Sequence, residues 1–142
     1  MTKIEESNFK KLIGVWKTTG QIITGKDRLQ LQGTDSYEFI LNENYILHKA
    51  DVKMGNERSE TFEIIELAGS NNKATMHYFN SKGESGIMIA NLDNEVFEID
   101  GDGIRFRGNI NNESTEIIGK WHVQAENNDW TDFIELKLQK QS

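Results

Sequence analysis

The sequence predicts an all-β protein: a ten-stranded antiparallel up-and-down barrel with a short N-terminal helical turn. Three observations lead there. Short runs of β-branched and aromatic residues alternate with clusters of Asn, Asp and Gly along the chain. Within those runs apolar and polar residues alternate with a period of two, giving one dry and one wet face. No stretch remains that could hold a crossover helix, so a parallel α/β sheet is not expected.

The helical turn comes first. Ser7 can cap it through its hydroxyl, with Phe9, Leu12 and Ile13 on one side. It is expected to plug one end of the barrel. The predicted strands are residues 14–23, 35–41, 45–54, 60–67, 74–80, 86–92, 95–100, 103–110, 116–124 and 130–139. Glu43-Asn44, Asp93-Asn94 and Gly101-Asp102 tolerate positive φ and suit tight hairpin turns. Asn71-Asn72, Asn111-Asn112 and Asn127-Asn128 mark further turns. Consecutive hairpins make a meander, in which each strand pairs with the next.

Parity assigns the faces. Tyr37 and Phe39 oppose Ser36 and Glu38; Ile104, Phe106 and Ile110 oppose Arg105 and Arg107. Ile117, Gly119, Trp121 and Val123 oppose Glu116, Lys120 and His122, and Ile134, Leu136 and Leu138 oppose Glu135 and Lys137. In the third strand Ile46, Ala50, Val52 and Met54 oppose Lys49, Asp51 and Lys53, and His48 falls on the apolar side. A barrel of about eight strands already holds a small ligand, and ten strands enclose more. The inward set mixes large aromatics with Thr18, Ala50 and Gly119, as a cavity would tolerate.

Composition narrows the functions. The chain has 142 residues and a net charge of −7, with 36% apolar residues. On length, residues 1–142 are one domain. Net negative charge argues against a nucleic-acid partner, because phosphate affinity comes largely from clustered cations. No apolar run approaches the roughly 18 residues of a membrane span. Cysteine and proline are absent, so disulfides, thiol chemistry and cis-proline turns are excluded. The first residues, MTKIEESNFKKLIG, lack the apolar core of a signal peptide, so a cytoplasmic protein is expected.

The first strand opens with Gly14-Val15-Trp16, just after the helical turn. This resembles the G-x-W start of lipocalins and their calycin relatives. The resemblance implies a Trp closing the barrel floor, with a basic residue from a late strand packed over it; Lys137 and Lys140 are the candidates. The chain departs from lipocalins proper in having ten strands and no C-terminal helix. It departs from fatty-acid-binding proteins because residues 24–34 are too few for two helices between the first two strands. It looks most like bacterial lipocalin-like domains of unknown function, which also resemble nitrobindins. Nitrobindins hold haem through a His in the final strand; residues 130–139 contain none, so no cofactor is expected.

His48 is the polar residue of most interest. It reads as a core histidine hydrogen-bonded to Tyr37 on the adjacent strand, or as a polar handle for a ligand. His77 and Tyr78 share a strand and point opposite ways, with Tyr78 inward beside Met76. The three His, at 48, 77 and 122, make no ligand pair, and no metal site is expected. Asp100-Gly101-Asp102-Gly103 reads as a turn rather than a calcium loop, and no G-x-S-x-G elbow exists. Asp35, Glu66 and Asp132 are inward by parity but near predicted strand ends, where a solvated rim is expected. Trp121 and Trp130 are expected near each other on neighbouring strands. The expected function is binding of a small apolar or amphipathic molecule, lined by Trp16, Tyr37, Phe39, His48, Phe62, Tyr78, Phe106 and Trp121. The alternatives are an enzyme of isomerase, hydrolase or decarboxylase type using the same pocket, and a filled barrel acting as a protein-interaction module.

Overall fold

A computed structural model describes residues 3–141. Two short 3-10 turns, Ile4–Glu6 and Asn8–Leu12, precede ten strands. These are β1 (Gly14–Thr24), β2 (Asp27–Ile40), β3 (Tyr45–Met54), β4 (Glu57–Ser70) and β5 (Lys73–Asn80). There follow β6 (Ser85–Asp93), β7 (Val96–Asp100), β8 (Ile104–Ile110), β9 (Glu116–Gln124) and β10 (Trp130–Gln141). Each strand pairs antiparallel with the next, and β10 returns to pair with β1, closing the barrel. Closure leaves no sheet edge exposed.

The largest departure from the predicted elements is the β1–β2 hairpin. Residues 24–34 are not a connection; β2 begins at Asp27, after a turn at Gly25 with φ of 61°. Its first four residues are exposed, so no dry face betrays the strand. β4 is likewise longer than predicted, from Glu57 to Ser70. The turn after β2 is wider than two residues: Leu41, Asn42 and Glu43 all have positive φ.

One end is closed by the N-terminal turns. The Ser7 hydroxyl donates to Ile4 O (2.6 Å) and accepts from the Phe9 amide (3.2 Å), joining the two turns. Phe9 and Leu12 are fully buried, as is Trp16 beneath them. Trp16 Nε1 donates to Leu12 O at 2.8 Å, which pins the plug to β1. Of the two basic candidates, Lys140 is the one over Trp16, with Nζ 4.8 Å from the ring centroid and donating to Lys11 O. Lys137 instead pairs with Glu116. Burial holds the Lys140 ammonium below the usual lysine range. Asn8 ties the plug to the rim through Asn71 O and Leu92 O.

Beneath the plug the barrel is filled by Ile46, Ile65, Met76, Leu92, Phe97, Phe106, Ile110 and Ile117. Gly119 points inward, and its missing side chain makes room for Phe106: a Cβ there would lie 2.4 Å from the Phe106 ring. The opposite end carries the β1–β2, β3–β4, β5–β6, β7–β8 and β9–β10 turns and has no plug among the described residues.

Candidate ligand-binding site

The inner faces of β2, β3 and β4 meet at mid-barrel. Asp35 is in register with Ala50, Tyr37 with His48, and His48 with Glu63. Three neighbouring strands therefore bring Asp35, His48 and Glu63 together. His48 Nε2 lies 2.6 Å from Asp35 Oδ1, and Nδ1 lies 2.7 Å from Glu63 Oε1. The Thr18 hydroxyl on β1 donates to Asp35 Oδ2. Tyr37 stacks on the imidazole, ring centroids 4.0 Å apart and planes within 5°. Asp35 and Glu63 are 7% and 5% exposed, so this is an interior cluster rather than a rim.

Two carboxylates on the two ring nitrogens require both nitrogens to donate, which is the imidazolium form. Burial opposes that charge. The hydrogen bonds from Asp35 and Glu63, together with their charges, outweigh it and raise the His48 pKa to about 10. Burial, and then the same two carboxylates, push the Tyr37 phenol well above its usual value.

The cluster separates two voids. Toward the plug lies one of about 80 Å³, lined by Tyr37, Met76, Phe97, Ile99, Phe106 and Ile117 among others. Toward the unplugged end lies a larger cavity of about 430 Å³, within the range of small-molecule sites. Its walls include Leu31, Val52, Met54, Met88, Ile104, Phe133 and Ile134, with Ser59, Thr61, Tyr78, Asn80 and Glu84 adding polar groups. Asp35, His48, Glu63, Trp121 and Leu136 line both voids and form the shelf between them.

Of the sequence-predicted lining, His48, Tyr78 and Trp121 border the larger cavity, and Tyr37 and Phe106 border the smaller one. Trp16 and Phe39 are inward but belong to the core beside the plug. Phe62 is a correction. It points outward and is 51% exposed, paired with Phe79 and with Lys49 Nζ 5.6 Å from its ring. The physical reason is parity: β4 turns Thr61, Glu63 and Ile65 inward, so Phe62, Ile64 and Glu66 face out. Reading β4 with Phe62 inside flips every side chain of the strand.

The same flip hid Glu63, the residue that sequence reasoning missed. Alternation alone does not decide the face: Ile65 and Leu67 share the parity of Glu63, and Phe62 and Ile64 make an equal apolar pair on the other side. Three further expectations change. His48 does not hydrogen-bond Tyr37 but stacks on it. Asp132 and Glu66 lie outside, paired with Lys120 and His122 and with His77. Trp130 lies under the Arg105 guanidinium at 4.2 Å on the outer side, while Trp121 packs inside against Phe106 at 5.3 Å.

The fold and site define a closed ten-stranded antiparallel barrel, plugged at one end, with a cavity at the other and a charged shelf between. The crystal structure of Rv2717c from M. tuberculosis is similar: it aligns with a TM-score of 0.75 over 100% of this chain and 99% of that one, at 9% identity. That likeness is one of fold. No family model matches the chain, and no curated protein matches it. No helix among the described residues is long and apolar enough to cross a membrane. Among the same residues no cluster of His, Asp and Glu could hold a metal ion.

Proposed function

We propose that the barrel binds a small apolar or amphipathic molecule in the cavity at its unplugged end. One observation carries this reading: a void of about 430 Å³ has mostly aliphatic and aromatic walls and a charged floor of Asp35, His48 and Glu63. Apolar burial would drive binding, at about 25 cal/mol per Å² removed from water before ordering costs. The shelf would orient a polar end, since ordered groups cost little to reorganise. The wall residues proposed to touch ligand are His48, Tyr78 and Trp121, with Tyr37 holding the imidazole in place from behind.

An acid–base enzyme in the same pocket is less favoured. A group transfers protons best when its pKa lies near the working pH. His48, protonated up to about pH 10, is neither a base nor an acid of useful strength at neutral pH.

Native mass spectrometry of the purified protein tests the reading. The expected result is a non-covalent adduct of small-molecule mass that is lost on unfolding. Ala50→Trp, placed on the cavity wall, should fill the space and remove the adduct while the protein stays folded. An adduct retained by Ala50→Trp would place the ligand elsewhere. His48→Ala should change the affinity for a polar-headed ligand far more than Lys53→Ala, whose side chain is exposed on the outer face; equal effects would refute orientation by the shelf.

A further inference from the structure

The cavity lining is electrically one-sided. It holds three carboxylates, Asp35, Glu63 and Glu84, against one cation, the His48 imidazolium. No Lys or Arg lines it among the described residues; the lysines and arginine of β3 and β4 are on the outer face. The oxygens of the shelf are also unequally used. Thr18 and His48 take up both oxygens of Asp35. Glu63 spends only Oε1, on His48. Its second oxygen has no hydrogen-bond partner among the described residues and is not sealed off, so on a residue that borders the cavity it is free to receive a donor.

We propose, resting on the binding reading above, that the ligand is a cationic amphiphile: an ammonium group on an aliphatic or aromatic body, with its N–H donors on Glu63 Oε2. The shelf carries net negative charge because two carboxylates share one imidazolium. Between mostly apolar walls that charge is screened less than in open water, so it attracts an ammonium and repels a carboxylate. A fatty acid is therefore the wrong ligand for this barrel: its head would meet Glu63 with no Arg or Lys to receive it. Tyr78, Asn80 and Ser59, nearer the mouth, are neutral and leave the sign of the field to the carboxylates. Glu84 at the exposed rim, held by Asn80 Nδ2 at 3.1 Å, adds to it at the entrance.

Isothermal titration calorimetry with three probes of one chain length tests the proposal: decylammonium, decan-1-ol and decanoate, each below its micellar concentration. The expected order is decylammonium about tenfold tighter than decanol, and decanoate at least about tenfold weaker than decanol, a factor worth about 1.4 kcal/mol per step. Glu63→Gln, which keeps the shape and an oxygen, should erase the preference for decylammonium over decanol. Should that variant fail to fold, the three-probe order in the unaltered protein still decides. Decanoate binding as well as decylammonium would overturn the cationic class and leave the cavity reading intact. If none of the three bound, with Trp121 fluorescence unmoved, both would fall.

Discussion

His48 is worth more as a fixed charge than as a titrating group. Its folded pKa, about 10, lies above the ordinary histidine value of 6.5. The sign follows from linkage: the folded state holds a proton that the unfolded chain has released. The stabilisation is fully present below about pH 6.5 and is lost as pH rises through about 10. Between those values stability should fall by about 1.4 kcal/mol per pH unit for this one proton. His48→Gln should flatten that slope, and urea unfolding of both proteins at pH 7 and pH 9 measures it. Equal slopes would show that His48 is not charged in the folded protein. The sequence gives away two of the three charged members of this cluster. His48 and Asp35 both read as inward from the alternation of their strands. Glu63 was concealed because Phe62, beside it, looks like the natural core residue of β4. Only the pairing of β4 with β3, with Glu63 across from His48, decides between them, and pairing register is a long-range property.

The helical plug is held by few bonds, and each is traceable. Trp16 joins it to β1, Lys140 joins it to β10, Asn8 joins it to the β4–β5 turn and to β6, and Lys11 joins it to the β6–β7 turn through Asn94 O. Trp16→Phe keeps an aromatic ring in the buried site but leaves Leu12 O without its donor. The expected cost is about 1–3 kcal/mol, with faster amide exchange over residues 4–12. Unchanged exchange there would mean that apolar packing of Phe9 and Leu12 alone holds the plug. This element was legible in the sequence, because Ser7 has a side-chain role that few residues fill and Gly14-Val15-Trp16 marks the strand that follows. The β1–β2 hairpin was not legible. The first four residues of β2 are exposed on both faces, and alternation carries no signal where nothing is buried.

As a whole molecule the barrel was the easiest feature to foresee. Ten dry-and-wet strands joined by short Asn- and Gly-rich turns have few other ways to hide one face each. What alternation cannot reveal is volume. Gly119 looked like a contributor to empty space, yet Phe106 occupies that position, and the cavity lies on the other side of the shelf. Closure also makes a prediction for the molecule as a unit. The β1–β10 seam is paired continuously from Val15 with Gln141 to Ile22 with Ile134. Amides of Thr18 and Leu138 should therefore exchange as slowly as those of Ile46 and Ile65 in the opposite wall. Native-state hydrogen exchange read by NMR measures this; faster exchange confined to the seam would mean that the barrel opens there before it unfolds.

That seam also orders events in time. Nine of the ten strand pairings join neighbours in the chain and can zip as soon as each hairpin exists. The tenth joins β1 to β10 and must wait for nearly the entire chain. During synthesis the first strand would leave the ribosome early and remain half-paired until its partner arrives. For that interval the nascent protein is an open ribbon with an unmatched edge, at risk of pairing with another ribbon. The bristling outer face of β1 and β10, with Lys17 and Lys137 among its side chains, is well placed to keep two such ribbons apart until the chain can close on itself.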